Sequence, residues 1–152
     1  MFDAEENIPS PDELIRRCGL QRYGPVQTAV DSECIRMMEP YTPMRNGELI
    51  ASVTRETVIG SGIIRQNVPY AHYQYEGIIY VDPKTGAAGF LDKNGMWKSR
   101  KNVTKIPTDR PLTYYGGGKR GKKWFDRMKA DHMDDIKQVA LAEIEKAKAG
   151  NS

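Results

Sequence analysis

Apolar positions recur along this chain with two different periods, and the change of period divides it. From Val26 the residues Val30, Cys34, Met37 and Met38 follow at three- and four-residue spacing up to Pro40, with Pro25 where a first helical turn tolerates proline. That spacing predicts an amphipathic helix of about four turns. Asn46 and Gly47 then mark a turn or helix start ahead of Leu49, Ile50 and Val53. Between Ala51 and Val68 the density of Val, Ile and Thr is high, and Gly60, Ser61 and Gly62 interrupt it, a pattern that predicts a β-hairpin. Pro69 closes the second of those strands. Tyr70 to Gly77 reads as one or two helical turns, and Ile78 to Val81 as a strand.

Turn formers dominate from Asp82 to Lys105, with Pro83, Gly86, Gly89, Asn94 and Gly95 around isolated Phe90, Leu91 and Trp97. A loop of that length inside a small domain has a task or orders on assembly. Asp109 to Tyr115 supplies a further candidate strand, and Gly116, Gly117 and Gly118 release the chain into its longest element. Residues 119–149 lack proline, and Phe125, Met128, Ile136, Val139, Ile144 and Ala147 fit one helical stripe, with Gly150 and Asn151 as stop signals. A helix this long predicts that its first half packs on the Val26–Met38 helix while the rest protrudes. Residues 1–22 hold five acids, Pro9 and Pro11, and read as a peripheral acidic arm with a short helical turn around Asp12 to Cys18. The expected architecture is a single α+β domain over residues 23–149: a small antiparallel β-sheet with a hairpin, flanked by an N-terminal amphipathic helix and a long C-terminal helix.

Composition narrows the class. With 152 residues, 39% hydrophobic and 28% charged, and a mean hydropathy of −0.64, the chain suits one soluble domain and no membrane span. No basic start followed by an apolar stretch and a small-residue cleavage site opens it, so export by the ordinary signal route is not expected. Cys18 and Cys34 lack CxxC spacing and neighbouring histidines, which predicts neither a disulfide framework nor a zinc site and suits synthesis in a reducing cytoplasm.

Charge changes the picture more. The net +3 conceals a block from Lys84 to Lys129 with thirteen Lys or Arg against three acids, a local +10 that leaves −7 elsewhere. Lys98, Arg100, Lys101, Lys119, Arg120, Lys122 and Lys123 are the candidate contacts to phosphate or to an acidic neighbour. Four of them cluster at the predicted start of the last helix, where cations oppose the macrodipole. Tyr70, Tyr73, Tyr75 and Trp124 are the candidate interface aromatics.

Catalytic chemistry has little to draw on. His72 and His132 are the two histidines, and neither has carboxylates at a spacing that resembles a metal site. Gly116 to Lys122 reads GxxxxGK, yet Lys123 stands where a phosphate-binding loop needs Ser or Thr. No cofactor and no enzymatic activity are expected.

Four segments occur in order: Pro43-Met44-Arg45-Asn46-Gly47-Glu48-Leu49, Val68 to Gly77 with its Tyr70-Ala71-His72-Tyr73 turn, Arg110 to Tyr114, and Lys123 to His132. Together this set resembles the small minor capsid proteins of the head-to-tail module in siphophages and prophages of Gram-positive bacteria, and the wider neck and tail-completion proteins. The wider family has Asp-Thr before the glycine where this chain has Arg45 and Asn46. The resemblance implies a non-enzymatic virion protein, a homo-oligomeric ring of six or twelve copies. The ring would join portal or connector to tail-terminator proteins around packaged DNA, with no membrane partner. The alternative from another class is a cytoplasmic nucleic-acid-binding module that uses the basic block 84–129.

Overall fold

Helix α2 spans Pro25–Met38 in the computed structural model, which describes residues 8–150. It follows α1, Pro11–Arg17, a short helix of the arm capped by the Ser10 hydroxyl. The first seven residues of the arm and Asn151 lie outside the described residues. Val26, Cys34 and Met38 are buried along α2, as the spacing predicts. A 3₁₀ turn, Glu39–Tyr41, carries Tyr41 into the core.

The predicted β-hairpin at Ala51–Val68 does not form. Residues Glu48–Glu56 are helix α3, entered through Gly47 at φ +80° with the Asn46 Oδ1 accepting from the Glu48 N–H. Leu49, Ser52 and Val53 bury one face of α3, so burial at three- and four-residue spacing overrides the strand preference of its β-branched residues. The chain then runs irregularly to Tyr70. Buried Asp31 pins it from α2, accepting the Gly60 and Gly62 N–H groups at 2.8 and 3.0 Å and the Gln27 amide at 2.7 Å.

Helix α4, Ala71–Glu76, ends at left-handed Gly77 and feeds strand β1, Ile78–Val81. β1 pairs antiparallel with β4, Ile106–Pro111, with Tyr80 opposite Pro107 and Val81 opposite Ile106. The later strand therefore lies three residues before the predicted Asp109 start. Two prolines confine β4 to a sheet edge, and a bulge interrupts the register between Ile78 and Tyr80. The Thr108 hydroxyl donates to the Ile79 carbonyl at 2.6 Å. Between β1 and β4 lie β2, Phe90–Leu91, and β3, Trp97–Lys98, an antiparallel pair. The hairpin of this protein thus falls inside the segment that the sequence reads as loop 83–105.

Helix α5, Trp124–Gly150, is about 40 Å long at 1.5 Å per residue and bends at His132, whose φ −121° and ψ 16° are not helical. It begins five residues later than the predicted Lys119. Lys123 sits at φ +49°, and the Arg127 guanidinium folds the preceding turn by donating to the Lys119 and Lys122 carbonyls at 2.8 and 2.7 Å. Trp124 and Met128 close the core with Cys34, Met38, Tyr41, Leu49, Val53 and Ala71, while Phe125 and Ile136 pack against it. The far end of α5 does not stand free, contrary to the expected protrusion. Gly19, after α1, comes so close that a methyl group there would meet the Ala147 Cβ at 3.0 Å. The architecture is α+β, with two small antiparallel pairs set beside helices.

Candidate interaction surface

The β2–β3 hairpin is built by two aspartates. Asp92 Oδ1 accepts the Asn94 and Met96 N–H groups at 2.9 and 3.0 Å, Gly95 takes φ +73°, and Lys98 Nζ reaches Asp92 Oδ2 at 2.5 Å. At the hairpin's base, Asp82 is 6% exposed and accepts the Arg100 guanidinium at 2.5 and 2.7 Å and the Lys84 N–H at 2.8 Å. Arg100, first among these partners, holds the Asp82 carboxyl well below the usual carboxylate range. Lys105 Nζ adds a bond to the Ala88 carbonyl at 2.7 Å while lying 5.6 Å over the Tyr73 ring. Gly89 is required where it stands, since a Cβ there would come within 2.6 Å of the Lys98 carbonyl oxygen.

This well-tied hairpin holds apolar side chains out of the core. Phe90, Leu91, Met96 and Trp97 are 49%, 66%, 61% and 66% exposed. Trp97 also borders a cleft of about 620 Å³ whose walls include Met44, Tyr70, Tyr114 and Tyr115. Arg45 lies 5.8 Å over the Tyr115 ring at that cleft. Phe90 pairs with Lys98 and Leu91 with Trp97, so Leu91 and Trp97 share one face of the ribbon and Phe90 stands on the other. Exposed apolar side chains rimmed by cations have the composition of a protein contact.

The seven candidate cations are not one surface. Lys98 pairs with Asp92, Arg100 with Asp82, Arg120 with Glu39 and Lys123 with Glu76. Arg120 is an internal clamp: its side chain is 14% exposed and donates to the Glu39 and Thr42 carbonyls at 2.8 and 2.6 Å. Internal partners therefore account for Arg120 and Lys123 ahead of α5, without an external anion. Lys119 lies 5.2 Å over the Tyr41 ring, and Lys101 and Lys122 are exposed without an ion pair among the described residues.

The candidate aromatics divide in the same way. Trp124 is 2% exposed, donates to Gln66 Oε1 at 2.9 Å and meets the Tyr75 ring edge-on at 4.7 Å, so it is a core residue. Tyr75 is half-buried and donates to Asp126 at 2.8 Å; burial first, then that bond, pushes its phenol up to about 12. Tyr73 packs on Tyr80 at 4.9 Å, and Tyr70 faces the cleft. Sequence reasoning passed over Met96 and the Asp82–Arg100 tie. The signal was present: Asp92-Lys-Asn-Gly95 is a tight-turn signature flanked by Phe90-Leu91 and Met96-Trp97.

A second polar cluster lies between α2 and α5. His132 Nδ1 is 2.8 Å from Asp135 Oδ2, and the Tyr41 hydroxyl donates to Asp131 at 2.5 Å, which pushes that phenol up. His72 is exposed beside Tyr73 and Tyr80. Among the described residues no group of three or more His, Cys, Asp or Glu is placed to hold a metal ion, and no helix is long and apolar enough to cross a membrane.

Compared with known proteins, the chain matches no protein-family model and no solved structure. A curated relative, the fructose import ATP-binding protein FruK of Bifidobacterium longum (strain NCC 2705), is 29% identical over 102 residues, 66% of this chain. The aligned stretch is 19% of that protein, so the chain spans about a fifth of its length. In this chain the GxxxxGK stretch follows an antiparallel edge strand, turns Arg120 inward onto Glu39 and is followed by Lys123. A phosphate-binding loop needs a buried parallel strand before it and a hydroxyl after its lysine.

Proposed function

We propose that this chain is a structural protein of the bacteriophage neck, a minor capsid or head–tail connector subunit. It is made in the bacterial cytoplasm and built into the virion as part of a homo-oligomeric ring around the DNA channel. The observation that carries the reading is the exposed apolar hairpin, whose Phe90, Leu91, Met96 and Trp97 stand about half or more in water on a ribbon tied by Asp82 and Asp92, as a surface for a partner does. The ordered segments from Pro43 to His132 that resemble neck proteins give that partner its class. A head-to-tail contact between unlike surfaces closes into a ring when its rotation divides the circle.

The nucleic-acid module is the weaker reading. With four of the seven named cations engaged by carboxylates of the same chain, about three remain for phosphate, a salt slope of about −2.7. The test is mass by light scattering at low and moderate salt, alone and with portal-side or tail-side proteins of the same genome. A monomer that joins a symmetric ring on those partners is expected. A monomer that ignores them and binds duplex DNA with a salt slope of about −2.7 or steeper overturns the neck reading.

A further inference from the structure

Two regions of this chain are opposites in charge and alike in exposing apolar side chains. Residues 83–105, the hairpin and its flanks, hold six Lys or Arg against Asp92 alone, a side-chain charge of +5. Residues 1–15 hold Asp3, Glu5, Glu6, Asp12 and Glu13 with no Lys or Arg, a side-chain charge of −5. In the described part of that arm, Ile8, Leu14 and Ile15 are 72%, 47% and 40% exposed. On the hairpin side, Lys84, Lys93 and Lys101 are exposed and make no ion pair among the described residues.

Position decides whose arm meets whose hairpin. The arm leaves the body at Gly19, against Ala147 near the far end of α5. The hairpin grows from β1, which follows Gly77, and Gly77 abuts Lys122 at the opposite end of α5. The 23 helical steps from Trp124 to Ala147 span roughly 34 Å at 1.5 Å each, while ten extended residues ahead of α1 reach at most about 34 Å. An arm would have to stretch to its limit along its own helix to cover its own hairpin. The arm of a neighbouring copy is not bound by that limit.

We propose that the acidic N-terminal arm of one copy, residues 1–15, docks on the β2–β3 hairpin of the next copy, its carboxylates on Lys84, Lys93 and Lys101 and its apolar residues on the face that Leu91 and Trp97 share. The contact is heterologous, so each subunit offers one arm and one hairpin. It deepens the assembly reading given above by naming the surfaces that join copies.

The test uses the full chain and a synthetic peptide of residues 1–15, which contains no tryptophan. Trp97 is exposed and Trp124 is buried, so docking moves the emission of one ring. The expected result is a saturable blue shift, lost in Trp97→Phe, in which binding weakens at least about five-fold from low salt to 0.2 M salt. A peptide with the five acids changed to Gln should bind at least about ten-fold more weakly. Leu91→Ser, at a second exposed position, checks that the loss does not depend on one variant. An absent shift, an equal shift with the neutral peptide, or displacement of the peptide by an equal concentration of duplex DNA overturns the proposal. So does a shift that the full-length chain already shows at every dilution as a monomer, which places the arm on its own hairpin. Binding of the peptide without rings on connector proteins removes the neck reading and keeps the contact; rings that form with all five acids replaced do the reverse.

Discussion

Trp124 and Trp97 show how differently one side chain is used in two regions of this molecule. Trp124 opens α5, where Tyr75, Gln66 and the α2 residues Cys34 and Met38 surround it, and its N–H is satisfied. Trp97 stands in a strand of two residues held by ion pairs and turn hydrogen bonds, with two-thirds of its surface in water. The body is therefore held by apolar burial, and the hairpin by Asp82 and Asp92. A region organised by polar ties can keep its shape while leaving its apolar surface available to another chain.

The largest effect should separate the two at once. Trp124→Ala removes a fully buried indole and should cost about 3–5 kcal/mol in urea unfolding, enough to leave little folded protein at 37 °C. Trp97→Ala should stay within about 0.5 kcal/mol of the parent chain. Equal losses in the two variants would mean that the hairpin belongs to the body's cooperative unit, and the comparison would break.

A smaller effect sharpens the body's boundary. Asp31 reaches from α2 to the irregular segment after α3, and Asp31→Ala leaves the Gly60 and Gly62 N–H groups without their acceptor. The expected cost is about 1–3 kcal/mol. Hydrogen exchange should quicken at Gly60 and Gly62 and stay unchanged at Gly86 and Gly95. Faster exchange in the hairpin as well would show that the two regions share one stability.

That same segment shows where sequence pattern stops being sufficient. The periodic stretches were legible: α2 from Val26, Val30, Cys34 and Met38, and the long final helix from Phe125, Met128 and Ile136. Around Val53 the β-branched residues pointed to strands, but Leu49, Ser52 and Val53 also satisfy a helical face, and the core's need decided. Asp31 as the acceptor for residues 29 and 31 positions later is a long-range contact that no local period encodes. The basic block was legible as charge alone. Its division into paired cations and free ones depends on Glu39, Glu76 and Asp82, which lie far away in sequence from Arg120, Lys123 and Arg100.

The smallest effect tests what holds the hairpin. Asp82 titrates far below the usual carboxylate range, with Arg100 as the largest cause and the Lys84 and Thr85 N–H groups as lesser ones. A carboxyl with a depressed native value contributes its full stability above the unfolded value of about 3.9, and loses it as pH falls through the native value. The tie is therefore constant from neutral pH down to about pH 4 and weakens only in stronger acid. Arg100→Ala should raise the Asp82 midpoint toward the ordinary range, where burial, which raises it, and the two backbone donors, which lower it, are left to oppose each other. Carboxyl carbon NMR reads that midpoint directly. Exchange at Gly86, whose N–H bonds to the Asp82 carbonyl, should quicken in the variant at every pH, while the buried Trp124 emission stays where it was. An Asp82 midpoint unmoved by Arg100→Ala would assign the hairpin's order to its apolar contacts instead, and Trp97 would then be part of what holds it in place.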